Sequence, residues 1–378
     1  MMADRETRLK LVIFIGHHKV GSTALQIFLA RNHLALLRAG ILYPSVESQG
    51  MAYNLARAAG MGRDDGDLPI NLREPHNALA FRMLSEVTRR KVPHYHGNLP
   101  HSRQMFAAIH NQIAVFRPKA VILCAEVFSN FGSLAPGLID RLRQEFSGAD
   151  VTIICTLRRV DDHLGAWQGQ RLCFGRSPRP LSGAGLAPCF NTIHFDFRMM
   201  LHPWLERFPD ARFDISDYAS TLAAGGAVPD FIMRSGLGFP AGLVAAGRAN
   251  IGIPRALHEV ARLGNRFLAP RMASMLREFM IGLASDPALP ENDQIELFGA
   301  HNRMLLAERF AGINTYLRAL AGGRAFFADE DDIARLRPIS GIDALGAALP
   351  VLRARMQQHG LASELVDFVT RLDFRQAG

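Results

Sequence analysis

Apolar positions along this 378-residue chain keep two rhythms that alternate. An unbroken apolar run at 11–15 (LVIFI) gives way to a glycine-bounded turn at 16–21. Leu25, Phe28, Leu29 and Leu36 then fall at helical spacing. Unbroken runs of this length mark strands buried on both faces of a parallel sheet, and the longer period marks a helix. The same alternation continues with a short strand at 40–44 (GILYP), helices at 76–90 and 101–117, an apolar strand at 120–125 (AVILCA) ending beside Glu126, and a helix at 134–147. Residues 151–158 (VTIICTLR) form the next apolar strand and end at Arg158, after which the chain turns helical through 172, with Leu164, Trp167 and Arg171 on one face. A helix at 193–208, with Phe195, Met199, His202 and Leu205 along its core side, precedes a strand at 212–216 (RFDIS) and a Pro-Asp helix start in VPDFIMRSGLG. Such alternation predicts an α/β fold with a three-layer, doubly wound parallel sheet.

Beyond residue 270 the pattern is helical throughout, at 270–284 and 292–318, at a start on the acidic cluster ADEDD (328–332), and in a final pair within 342–375. The expected organisation is one α/β domain over 9–320 and a helical C-terminal extension over 321–378. Two stretches lack either rhythm. Residues 45–75, rich in Gly, Asp, Asn and Arg, read as an insertion after a strand end, either a substrate lid or a surface loop. Residues 175–191 are rich in Gly, Pro and Ser and read as a flap on the acceptor side.

Composition changes this picture little: 48% hydrophobic and 21% charged residues are ordinary for a globular protein. Lys and Arg exceed Asp and Glu by 43 to 35, a net +8 that suits an anionic cosubstrate. The positive residues are dispersed, and no basic run points to nucleic acid. Cys124, Cys155, Cys173 and Cys189 form no CxxC pair and read as reduced thiols of a cytoplasmic protein. The five apolar residues at 11–15 are too few for a signal-peptide core, and no later run reaches membrane-spanning length. His94, His96 and His101 lie in a Pro- and Gly-containing loop with no cysteine or carboxylate beside them, so no metal site is expected there.

The chemistry is concentrated in the turn at 16–21. A loop that wraps a helix N-terminus offers backbone N–H groups and the positive end of the helix dipole to a phosphate. Gly16 and Gly21 have the spacing of a Walker A loop, but Ser22 stands where its lysine belongs, and Lys19 lies inside the loop instead. In this respect GHHKVGSTALQ (16–26) closely resembles the 5′-phosphosulfate loop of the sulfotransferases that use 3′-phosphoadenosine 5′-phosphosulfate (PAPS), particularly their bacterial branch. The resemblance extends diffusely over 11–315 and includes HNRMLLAERF (301–310), similar to a C-terminal helix of that branch.

That resemblance implies a P-loop-like sulfotransferase fold and transfer of a sulfuryl group from PAPS to a hydroxyl, on a carbohydrate or glycolipid acceptor, without a metal. Lys19 would stabilise the leaving phosphate oxygen, and His17, Val20, Gly21, Ser22, Thr23 and Ala24 would surround the 5′-phosphosulfate. Arg158 matches the arginine of the family's 3′-phosphate motif, but the serine expected eight positions later is Ala166. Arg159 or Gln168 could supply the missing donor, and Arg248, in GRANIGIPRALHEVARLGN (247–265), is the candidate to complete the 3′-phosphate site. Glu126 is the first choice for the base that deprotonates the acceptor, with His18 and His17 next. Two other functions stay open at this point: a P-loop nucleotide kinase or NTPase, and a non-catalytic binding protein of sulfotransferase type.

Overall fold

The apolar run that opens the chain becomes the middle strand of a parallel sheet. A computed structural model describes residues 8–61, 68–247 and 252–372. In it, β1 (Lys10–Phe14), β2 (Ile41–Leu42), β3 (Ala120–Cys124), β4 (Asp150–Leu157) and β5 (Arg212–Asp217) form one sheet in the order β2-β3-β1-β4-β5. Every pairing is parallel, with Phe14 level with Cys124 on one side and Ile154 on the other. The chain builds β2 and β3 to one side of β1 and then crosses to β4 on the other. The direction of winding therefore reverses at β1, and ligands of open parallel sheets bind beyond the carboxyl ends at such a point.

Period-two geometry divides each strand between two buried faces. Val12, Phe14, Ile122, Cys124 and Ile154 share a core with Leu25, Phe28 and Leu29 of the helix Ser22–Arg31 and with Phe231 of the helix Ala227–Ser235. Leu11, Ile13, Val121, Leu123, Ile153 and Cys155, which alternate with them, are equally buried. Both faces are thus covered, which explains the unbroken apolar runs.

Several elements differ in detail from the expectation. Residues 45–75 contain the helices Ser48–Ala58 and Ile70–Arg73, with 62–67 outside the described residues. The Glu47 carboxylate starts the first of these helices by accepting from the N–H groups of Gln49 and Gly50, each at 2.6 Å. The helix expected at 193–208 runs from Arg198 to Arg207 and buries Met200, Leu201 and Trp204, while His202 is exposed. Its core face is therefore rotated by about one residue from the expected side. The helix expected at 292–318 is Gly299–Leu320. The residues before it supply β6 (Ile295–Glu296), which pairs in parallel with β7 (Ile339–Ser340).

The chain divides into two compact units, Met1–Arg158 with Phe197–Asn250, and Arg159–Asp196 with Ile251–Gly378. The sheet β1–β5 belongs to the first. In the second, Leu172, Leu257, Val260, Leu276 and Met280 share a core with Leu345, Leu352, Met356 and Leu365. The helices Gly341–Gln358 and Ser363–Arg371 thus complete the core begun by residues upstream of 320, and the compact units do not divide at 320, the boundary expected from sequence.

Candidate functional site

Ladder hydrogen bonds carry β1 past its last strand residue. Ile15 N–H donates to Ile154 O at 3.0 Å, His17 N–H to Thr156 O at 2.9 Å, and Thr156 N–H to Gly16 O at 2.7 Å. On the other flank Ala125 N–H donates to Phe14 O at 3.0 Å. The carboxyl ends of β3, β1 and β4 are therefore level, and within the first unit they deliver Glu126, the loop 16–21 and Arg158 to one edge of the sheet.

The loop fits that edge only with glycine at its ends. Gly16 has φ +96°, and a Cβ there would lie 3.2 Å from Glu126 Cα. Gly21 has φ +86°, and its Cβ would stand 2.8 Å from Ala227 Cβ. Lys19 is also left-handed, at φ 63°. As the residue that begins the helix Ser22–Arg31, Gly21 offers no side chain to the first-turn N–H groups, and no acidic residue occupies that turn. The first-turn N–H groups thus have no side-chain cap.

Glu126 is the centre of the polar contacts. Ser22, itself buried, donates a short hydrogen bond to Glu126 Oε2. His18 Nδ1 is 3.4 Å from Glu126 Oε1, and its Nε2 faces the Asn130 amide nitrogen at 3.4 Å. The ring of His17 is fully buried, accepts the His18 N–H at 2.6 Å and packs edge-on against Phe197, with centroids 5.7 Å apart. Burial pushes the Glu126 carboxyl upward, but the hydrogen bond and charge of His18, the Ser22 hydroxyl and the Lys19 ammonium outweigh it and hold the group below its usual range. Such a carboxylate is ionised at neutral pH and is a weak base.

Behind it lies a group of residues with no motif in the sequence. The Asn77 side chain accepts Val127 N–H at 3.4 Å and donates to Glu74 Oε2 at 3.0 Å, and Glu74 pairs with Arg73 at 2.8 Å. Burial chiefly raises the Glu74 carboxyl, Asn77 and Arg73 oppose the rise, and the charge of Glu126 adds to it. His76 fastens the helix Pro75–Val87 to β3 by accepting Cys124 N–H at 3.1 Å. The one signal for these residues was the Glu-Pro helix start at 74–75.

Arg158 is half-buried, with its guanidinium carbon 5.2 Å from the Tyr218 ring centre and its Nε buried without a hydrogen-bond acceptor among the described residues. A nearby arginine is structural. Arg234 donates to Thr156 Oγ1 at 2.9 Å and Cys155 O at 2.9 Å, and pairs with Asp214 at 2.8 Å and Asp230 at 3.0 Å, stitching β4 to β5.

Ala166 lies on the helix Val160–Cys173 of the second unit, half-exposed. Arg159, a candidate to replace the missing serine, is committed elsewhere. It pairs with Asp161 at 2.7 Å, with Asp332 at 3.5 Å and with Asp329. Asp161 in turn holds Arg303 at 3.1 Å, and Arg303 holds Glu296 at 2.8 Å. The acidic cluster expected to start a helix is drawn into this network and makes only the short turn Glu330–Ile333. Arg248 lies outside the described residues. The three loop histidines lie in different surroundings: His96 is buried against Asn71 at 2.8 Å, His101 caps the helix Ser102–Phe116, and His94 is exposed.

No helix among the described residues is long and apolar enough to cross a membrane. No family model, curated protein or solved structure matches this chain.

Proposed function

We propose that the first unit transfers a sulfuryl group from PAPS to a hydroxyl acceptor, with a carbohydrate or glycolipid as the acceptor class. The observation that carries this reading is the convergence, at the carboxyl ends of the adjacent strands β1 and β4, of an uncapped helix N-terminus, an internal loop lysine and an arginine whose buried Nε lacks an acceptor among the described residues. Those features fit a doubly anionic nucleotide. The loop N–H groups and Thr23 would hold its 5′ end, Arg158 would hold its 3′-phosphate, and Lys19 would face the leaving oxygen.

When bound, the donor supplies an activated sulfur–oxygen bond. The acceptor oxygen bonds to sulfur as that bond breaks, and the electron pair leaves on the phosphate oxygen beside Lys19. In its neutral form His18 takes the acceptor proton, oriented by Glu126 in the manner of a carboxylate that positions a catalytic imidazole. A low carboxyl that already accepts from Ser22 suits that orienting role better than the role of base.

A second reading, a P-loop kinase or NTPase, draws on the Ser22–Glu126 hydrogen bond, because a helix hydroxyl beside a strand-end carboxylate is where such enzymes hold Mg²⁺. Calorimetric titration of the full chain with adenosine 3′,5′-bisphosphate, and with ATP with and without Mg²⁺, separates the two. The bisphosphate should bind at least tenfold more tightly and without metal. A Mg²⁺-dependent preference for ATP would reject sulfuryl transfer.

A further inference from the structure

The second unit carries a patch of arginines remote in sequence from the loop at 16–21. Its centre is Asn265, whose amide nitrogen donates to Leu172 O at 2.9 Å and Arg176 O at 2.7 Å, and whose oxygen accepts from Arg277 at 2.6 Å. This one side chain ties the end of the helix Val160–Cys173 to the helices His258–Phe267 and Pro270–Gly282. The Arg277 guanidinium lies flat against Gly175, all three of its nearest atoms falling 3.6–3.7 Å from where a Cβ would be. Arg176 and Arg266 flank the same point and are exposed.

Among the described residues, none of Arg176, Arg266 and Arg277 has an acidic partner within ion-pair distance. Glu259, on the same helix as Arg266, is already taken by Arg262. Two large apolar side chains sit beside these cations: Phe174, next to Gly175, is 60% exposed, and Phe267, next to Arg266, is 64% exposed. The Arg266 guanidinium carbon stands 5.1 Å from the Phe267 ring centre. Unpaired guanidinium groups bind phosphate oxygens. Exposed phenyl rings have no use for a wholly polar polyanion, but they gain by entering the acyl boundary of a bilayer whose headgroups the arginines hold.

We propose that this patch, formed by Arg176, Arg266 and Arg277 with Phe174 and Phe267, docks the protein reversibly on an anionic lipid surface. Charge complementarity selects the lipid headgroups, and the two rings provide apolar burial. The inference stands apart from the sulfuryl-transfer reading, because it concerns a different unit and needs no nucleotide.

Co-sedimentation of the full chain with vesicles tests it. Phosphatidylglycerol vesicles should sink the protein in 0.1 M salt, pure phosphatidylcholine vesicles should not, and 0.5 M salt should release it. Arg176→Gln/Arg266→Gln/Arg277→Gln should lose on the order of 100-fold in vesicle affinity, and Phe174→Ser/Phe267→Ser about tenfold. Because Arg277 also holds Asn265, the double variant Arg176→Gln/Arg266→Gln, which touches only exposed side chains, should keep the wild-type thermal midpoint and still lose about 30-fold. Equal binding to both vesicle types, no binding to either, or unchanged binding by the double variant would overturn the proposal. So would capture on a sulfated polysaccharide or an RNA oligomer with no vesicle binding.

Discussion

At Lys19 a single ammonium sits in the loop after β1 and acts on the charge of Glu126, the strand-end carboxylate that accepts from Ser22 and faces His18. If Lys19 faces the leaving oxygen, Lys19→Ala should lower kcat on the order of 100-fold to 1000-fold while the affinity for adenosine 3′,5′-bisphosphate falls less than tenfold. Equal losses in single-turnover rate and calorimetric affinity would assign it to uniform binding instead. Gly21 gives a stability test of the same loop. With φ +86° and Ala227 Cβ only 2.8 Å from the added methyl, Gly21→Ala should cost about 1–3 kcal/mol in urea unfolding. A cost near zero would mean that the loop can move away from the helix Ala227–Ser235.

Among the elements, the helix Gly299–Leu320 is anchored by charge inside the second unit. Arg303 bridges Glu296 and Asp161, and Asp161 also holds Arg159. Burial favours a neutral Asp161, but its hydrogen bond and charge contact with Arg159, followed by Arg303, win and hold its carboxyl low. Its stabilisation is therefore present above the ordinary aspartate range and is lost as pH falls through the lowered value. Asp161→Asn keeps the shape but withdraws one carboxylate charge from two buried guanidinium groups that retain Glu296, Asp329 and Asp332, and it should cost about 1–3 kcal/mol. Hydrogen exchange of the amides in 299–320 should accelerate accordingly, with the amides of β1 and β3 unchanged.

For the whole molecule, acid stability should differ between the units. Burial lowers His76 to about 3 and, with help from Arg57 and Arg73 respectively, His33 and His96 to about 4, all in the first unit. In the second, burial, assisted by Arg255, lowers His258 to about 4. A histidine near 6.5 when unfolded but far lower when folded binds more protons in the unfolded state. Stability therefore falls as pH drops from about 6.5 toward 4. At pH 5 each such group costs about 2 kcal/mol, so three of them remove an amount comparable to a domain's whole stability. The first unit should unfold at the higher pH. The emission of buried Trp204 in a Trp167→Phe background reports on it, and hydrogen exchange of the amides in 341–358 reports on the second unit.

What the chain dictated alone was whatever short-range pattern dictates. The strands at 11–15, 120–125 and 151–158, the glycine-bounded loop and the helix after it were legible, because an apolar run bounded by glycine or proline has few alternatives. The parallel α/β class followed from their alternation. Tertiary structure alone decided the strand order, which sets Glu126, Lys19 and Arg158 at one edge. It also decided the Ser22–Glu126–His18 contacts, since these join residues more than 100 positions apart. The fate of the charges was equally out of reach: Arg158 and Arg159 are neighbours in sequence, yet among the described residues one keeps a buried nitrogen without an acceptor and the other is enclosed by carboxylates. Local sequence fixes which residues want to be buried or charged, while the energy of a charge depends on what other segments bring to it, and no local pattern records that.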